Sequence, residues 1–290
     1  MIALVLTGTT GLVGGAVACA LRGECEVVSL SRRPADLPNT VRQVMVPNFQ
    51  EATAVSAQVP RRAVFVHCAA AVNADDDTLW AGNVLATRAV CRLAASREAT
   101  RFVMISTGGV YAYAHGIFRS EDDPVAPISD YAHSKYISER IVHWLHETDG
   151  IPTDILRLYF PFALNQEKGL FPLVRDKIAA GETLTINRGG APTIQPVHVA
   201  DIAAAIRLVV RGARPGCETY NLCGDEPWTF EQIVDAYSAA MGREAAKTYT
   251  QRDQGDLLAF NRKLKSTFDW TPQHGLNDFI KKHALLYRRC

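Results

Sequence analysis

The sequence predicts an α/β protein built on a doubly wound parallel sheet, with a smaller, partly interleaved C-terminal lobe. Three observations carry this expectation. Short apolar runs alternate with helical segments through most of the chain, the pattern of a parallel sheet with crossover helices. The first run, Ile2 to Leu6, is followed at once by a glycine-punctuated turn, Thr7-Gly8-Thr9-Thr10-Gly11-Leu12-Val13-Gly14. After that turn, Leu12 to Leu21 reads as a helix. A strand, a glycine turn and a helix in that order form a dinucleotide-binding unit, in which the helix N-terminus offers free N–H groups and partial positive charge to a pyrophosphate.

The spacing is Gly-x-x-Gly-x-x-Gly. Gly8 lets the chain turn off the strand, Gly11 clears space for a phosphate against the backbone, and Gly14 lets the helix pack on the sheet. Gly8, Thr10, Gly11, Leu12, Val13 and Gly14 are the candidate pyrophosphate cradle.

Composition bounds the rest. The chain has 290 residues and a net charge of +1, enough for a substantial core and too little charge to favour nucleic acid or a membrane surface. No run of 18 apolar residues occurs, and the N-terminal run is too short for a secretion signal. Seven cysteines are scattered without a C-x-x-C pair, which fits a reducing cytoplasm and gives no metal site.

In chain order, Glu26 to Leu30 is the second strand. It ends in Ser31-Arg32-Arg33, about 20 residues past the glycine turn, where this fold reads the adenosine ribose. An acidic residue there would hold the 2′-hydroxyl of NAD. Two guanidiniums can instead grip a 2′-phosphate, so Ser31, Arg32 and Arg33 point to NADP, with NAD the alternative because Asp36 lies close by. Val41 to Val46 is a weaker third strand, and Ala63 to His67 a clear fourth. Ala69 and Ala70 follow as small residues under a cofactor. His67 reads as a packed histidine, and Asp75-Asp76-Asp77 as a helix start. Thr78 to Ser96 is a long helix containing Asn83. Arg101 to Ser106 is the fifth strand.

The candidate chemistry follows. Strand five runs into Ser106-Thr107-Gly108-Gly109-Val110-Tyr111, and Tyr131-Ala132-His133-Ser134-Lys135 opens a helix reaching about His146. Tyr131 and Lys135 are four apart and share one helical face. A phenol titrates at about 10 when free, and a neighbouring ammonium is expected to lower that value. Tyr131 could then act as general acid or base on a substrate oxygen, with Thr107 bonding the same oxygen and Lys135 holding the nicotinamide ribose. Thr153 to Leu158 is the sixth strand, with Phe160 just past its end.

Beyond Phe160, Leu170 to Ala180 is a helix, Leu184 to Ile186 a strand and Gly189 to Pro192 a turn. Asp201 is expected to cap a helix over Ile202 to Val210. Glu218 to Leu222 returns to the sheet, Thr229 to Met241 is amphipathic, Trp270-Thr271-Pro272 marks a turn, and Arg288-Arg289-Cys290 forms a tail. The expected division is a dinucleotide-binding domain over 1–160, with 196–225 returning to it, and a substrate lobe from 161–195 and 226–290.

These motifs, with His67-x-Ala69-Ala70, Asn83-Val84-x-x-Thr87, Leu156-Arg157 and Val197-His198-Val199-x-Asp201, resemble the extended short-chain dehydrogenase/reductases, the NAD(P)-dependent epimerase/dehydratase family. The resemblance spans nearly the whole chain. It implies a catalytic Thr107–Tyr131–Lys135 set and a supporting role for Asn83 beneath the active-site helix. It places Ala69, Ala70, Asn83, Ser106, Tyr131, Lys135 and Phe160 near the cofactor, and gives a homodimer by analogy. There are departures. Family dehydratases carry an acidic pair where this chain has Gly108-Gly109, which argues against dehydration. Ala112 stands where glycine is usual, and Arg157-Leu158-Tyr159-Phe160-Pro161 replaces the usual Arg-Pro…Gly-Pro. Ile194 stands where an arginine is common, which weighs against a nucleotide-diphosphate substrate. The expected function is an NAD(P)-dependent oxidoreductase or epimerase acting on a hydroxyl or keto carbon of a small, sugar-like molecule. The alternative is a non-catalytic NADP-binding regulator or redox sensor, a type that usually lacks the tyrosine or the lysine.

Overall fold

The computed structural model describes residues 1–212 and 214–287. The expected tail at Arg288, Arg289 and Cys290 lies outside the described residues. Seven strands form one parallel sheet: β1 (Ile2–Thr7), β2 (Cys25–Ser31), β3 (Arg42–Met45), β4 (Val64–His67), β5 (Arg101–Thr107), β6 (Thr153–Leu158) and β7 (Cys217–Leu222). Their order is β7-β6-β5-β4-β1-β2-β3. The central strand β1 pairs with β2 on one side and β4 on the other, so the strand order reverses there. In such sheets the crevice beyond the strand C-termini at the reversal is the ligand site.

Both faces of the sheet are covered, which explains why its strands are nearly continuous apolar runs. Alternation along each strand sends Leu4 and Leu6 to one core and Val5 to the other. The first core packs α1 (Leu12–Leu21) and α6 (Val199–Arg211) against the sheet through Val17, Leu21, Ile206 and Val209. The second gathers Phe65, Phe102, Val90, Leu93 and Val142. These come from the sheet, from α3 (Ala86–Ser96) and from α4 (Asp130–Asp149).

The expected helix over Thr78 to Ser96 proves to be three joined segments. A short α2 (Asp76–Leu79), capped by Asp75, passes into a π-helical stretch, Trp80–Leu85, before α3 begins. Such stretches cluster at functional sites, and this one carries Asn83. β2 extends one residue beyond expectation, which buries Ser31 as its last residue.

The cap of α6 differs from expectation. His198, not Asp201, caps the helix, its Nδ1 accepting the Ala200 N–H at 3.2 Å. Asp201 sits a turn further in, and its carboxylate accepts both the backbone N–H and the ring of His274, at 3.0 and 2.8 Å.

A third core surrounds Phe162, Phe171, Ile178, Ile233, Tyr237 and Ile280. It is built by α5 (Leu170–Ala180), α7 (Phe230–Met241) and α9 (Leu276–Leu286). Between α7 and α9, α8 (Arg262–Phe268) returns to the sheet, where Leu264 and Trp270 join the first core. Short strand pairs stitch the layers, among them Phe118–Arg119 with Leu258–Ala259.

Candidate active site

At the reversal point the chain approaches itself too closely for side chains. Gly8 has φ +74°, and a Cβ there would sit 2.6 Å from the Ala69 nitrogen. A Cβ on Gly14 would lie 2.3 Å from the Gly8 oxygen, so α1 can start against the turn only with glycine at that place. Gly11 is the N-cap of α1 and has no side chain to bond the first helical N–H groups, so these face an anion from the backbone alone.

A cleft of about 910 Å³ opens from this turn. Gly8, Thr10 and Gly11 from the turn, Ser31, Arg32 and Arg33 after β2, and Ala69 and Ala70 after β4 all line it. The Ser31 hydroxyl is buried there and has no hydrogen-bond partner among the described residues. A glycine cradle that any Cβ would fill, a free helix N-terminus and an unpaired hydroxyl beside two exposed guanidiniums together suit a dinucleotide. Sequence reasoning missed Asn48 and Gln50, which line the same cleft past the end of β3. Asn48 accepts the Gln50 N–H at 3.0 Å, an Asx turn that the Asn-Phe-Gln string could have suggested. Leu12, Val13 and Gly14 lie behind the turn in α1, away from the cleft lining.

The candidate catalytic groups stand at the end of β5 and the start of α4. Thr107 closes β5, and its Oγ1 accepts the Gly109 N–H at 3.1 Å, leaving its own O–H to donate. Ser129 caps α4 by accepting the Ala132 N–H at 3.2 Å, which places Tyr131 in the first turn and Lys135 one turn on. Lys135 is 1% exposed. Burial pulls its ammonium down to about 8, opposed chiefly by the charge of Glu139. Burial also pushes the Tyr131 phenol up to about 12. The expected lowering by Lys135 is therefore reversed: desolvation of the phenolate governs, and at neutral pH Tyr131 holds its proton as an acid.

Two of the residues expected near the cofactor have side chains bonded within the scaffold. The Asn83 side chain accepts the Ala71 N–H at 2.7 Å and donates to the Ala71 oxygen at 3.0 Å and to Ser134 Oγ at 2.9 Å. It ties the π-helical stretch to the loop after β4 and to α4, with its amide fully engaged inside the protein. Ser106 is 3% exposed and donates to Glu139 Oε1 at 2.5 Å, which turns its hydroxyl toward the sheet interior. Phe160 takes the left-handed φ of +29°, uncommon for a bulky residue, and packs between the third core and the cluster of Tyr111 and Tyr159.

His67 is fully buried between Thr7 Oγ1 at 2.8 Å and Thr87 Oγ1 at 3.1 Å. Burial and the Lys135 charge hold it at about 3, so it is neutral, as a packed histidine should be. Among the described residues no group of three or more His, Cys, Asp or Glu could hold a metal ion.

The doubly wound sheet, the glycine turn at its reversal point and the Tyr131–Lys135 helix define an extended short-chain dehydrogenase/reductase. The match to a family description agrees: residues 4–223 fit the NAD dependent epimerase/dehydratase family, and the chain belongs to it. It is 29% identical over 203 residues to the low-salt glycan biosynthesis protein Agl12 of Haloferax volcanii, covering 69% of this chain and 65% of that protein. It is 35% identical over 196 residues to dTDP-glucose 4,6-dehydratase of Xanthomonas campestris pv. campestris, covering 61% of this chain and 55% of that one. The chain thus spans less than two thirds of the length of these two relatives. Among solved structures, UDP-glucuronic acid 4-epimerase from Bacillus cereus, in complex with UDP-glucuronic acid and NAD, superposes with a TM-score of 0.87. That superposition has 20% identity over 100% of this chain and 99% of that one, a likeness of fold.

Proposed function

We propose that the protein is an NAD(P)-dependent oxidoreductase or epimerase acting on a hydroxyl or keto carbon of a small, sugar-like substrate. The carrying observation is the placement of Tyr131 and Lys135 on a helix capped beside Thr107, at the same end of the sheet as the dinucleotide cleft. A bound nicotinamide supplies or accepts the hydride. Thr107 donates its O–H to the reacting oxygen, Tyr131 gives that oxygen a proton or takes one from it, and Lys135 holds the ribose hydroxyls. The protonated phenol suits reduction of a ketone, where the first need is an acid.

Two finer readings belong to the same proposal. Ser31, Arg32 and Arg33 favour NADP(H), because these three donors line the cleft just past the end of β2, where this fold reads the ribose. Gly108 and Gly109 favour hydride chemistry without water elimination, since neither position can offer an acid, although several relatives are named as dehydratases. We further propose 1–160 with 196–225 as the cofactor domain, and 161–195 with 226–290 as the substrate lobe. Pairing of the outer helices 76–96 and 129–149 would make a homodimer, and the scattered cysteines fit a reducing cytoplasm. No helix among the described residues is long and apolar enough to cross a membrane. The test is to incubate purified protein with NADPH or NADH and a panel of keto-sugars and nucleotide-sugars, following nicotinamide absorbance and product stereochemistry. Oxidation of the dinucleotide or inversion at a sugar carbon is expected; neither, with every substrate class, would overturn the proposal.

A further inference from the structure

Tyr131, Lys135 and Glu139 follow one another at intervals of four on α4, so all three lie along one stripe of the helix. Glu139 is 1% exposed, Lys135 1% and Arg157 6%. The Glu139 carboxylate is bound on every side. Arg157 donates to it twice, from Nε to Oε1 at 3.1 Å and from Nη2 to Oε2 at 2.8 Å. Ser106, the residue before Thr107, donates to the same Oε1. Arg157 is fixed in turn: its Nη1 donates to the Tyr111 hydroxyl at 2.6 Å, and its guanidinium lies 4.7 Å from the Tyr111 ring centre. Tyr111 donates its own O–H to Asn221 Oδ1 at 3.1 Å.

Glu139 thus stands one helical turn from the equally buried Lys135 while its carboxylate is bonded to Arg157 and Ser106, and charges taken from water are costly unless such geometry offsets the loss. A structural role for the Glu139–Arg157 pair alone would not require it one helical turn from an equally buried lysine. We infer that Glu139 is a positioning residue of the active site, its carboxylate locked by Arg157 and Ser106 as the counter-charge that keeps Lys135 protonated. The inference rests on the reading of Lys135 as a cofactor- and proton-handling group.

The other groups around Lys135 cannot take this part. His67, at the end of β4, is neutral, and Cys68 is held as a thiol by burial, its ionisation pushed up to about 12. Tyr131, on the same helix, holds its proton. Asn83 and Ser134, where the π-helical stretch meets α4, are uncharged, and the Arg157 guanidinium on β6 is taken up by Glu139 and Tyr111. With burial drawing Lys135 toward about 8, removal of its one anionic neighbour would leave it largely neutral near physiological pH.

The experiment titrates Lys135 directly. Protein labelled with 13C at lysine Cε is followed by two-dimensional NMR from about pH 6 to about pH 10, a range spanning free histidine to free lysine. Lys135→Met assigns the signal. Glu139→Gln should move the Lys135 midpoint at least about one pH unit lower, the size of effect an adjacent opposite charge exerts. Glu139→Asp, which keeps the charge on a shorter arm, should fall between the two. If Glu139→Gln does not fold because Arg157 is left unpaired, the double variant Glu139→Gln with Arg157→Gln removes both charges together and should show the same downward move. An unmoved midpoint in whichever variant folds would overturn the inference. Titrating NADPH and NADH into Lys135→Met tests the underlying reading separately. Unweakened binding there would remove the cofactor role of Lys135 and leave its coupling to Glu139 standing.

Discussion

The Tyr159 ring occupies the space where a side chain on Gly108 would go: a Cβ there would meet Cζ at 2.3 Å and both Cε atoms at 2.5 Å. Tyr159 is fully buried and cannot step aside into solvent. The next position is different, since a Cβ on Gly109 would meet Thr107 Oγ1 at 3.3 Å and otherwise only make ordinary contact. Gly108→Ala should therefore lower stability by about 1–3 kcal/mol, the usual effect of overpacking, and Gly109→Ala by clearly less. Urea unfolding of both variants measures this. Equal effects would mean that Tyr159 yields easily, and that position 108 is open to the acid a dehydratase would place there.

On the proposed NADP(H) reading, the arginines beside Ser31 set the cofactor preference. Charge-assisted hydrogen bonds contribute roughly 1.5–3 kcal/mol in protein settings, and exposure of both guanidiniums reduces that. A preference of about tenfold for NADPH over NADH is expected, one decade for each 1.4 kcal/mol. Replacing Arg32 and Arg33 together with Ala should erase it while leaving NADH binding nearly unchanged. Equal wild-type dissociation constants for the two dinucleotides would show that the arginines are a solvated loop.

His67 makes stability depend on acidity. Its folded-state value, about 3, lies below the ordinary 6.5, so the unfolded chain binds the proton more readily. Stability is then fully present above about pH 6.5 and declines as the pH falls toward about 3, with His283, held at about 4 by burial, adding in the same direction. His67→Gln keeps hydrogen-bonding groups and cannot titrate. The stability gap between wild type and His67→Gln should shrink steadily on acidification through that window. A gap that stays constant with pH would show that His67 is not held neutral by the fold.

Much of this architecture is legible in the residues. Strands such as Ile2–Thr7 and Arg101–Thr107 are apolar on both faces because helices cover both faces, and such runs stand out from their surroundings. The glycine turn and the four-residue spacing of Tyr131 and Lys135 are local patterns, and local patterns survive in a sequence. What escaped depends on approach in space. The partner of the Ser106 hydroxyl, Glu139, lies 33 residues on and leaves no local signal. Asp201 looks like a cap until His274, 73 residues away, occupies its carboxylate and leaves the capping to His198. The direction of the Tyr131 shift is hidden for the same reason: a neighbouring lysine is visible in the sequence, and the burial that outweighs it is not.

If Tyr131 moves the proton in a nicotinamide-dependent reaction, Tyr131→Phe should abolish most of the turnover. The phenylalanine keeps the ring and removes only the hydroxyl. Turnover, measured with whichever substrate the panel identifies, should fall by about 10²–10⁴, the usual worth of a positioned acid or base, while dinucleotide binding stays within about twofold and the unfolding transition is nearly unchanged. Turnover close to wild type in a folded, dinucleotide-binding Tyr131→Phe protein would contradict the account.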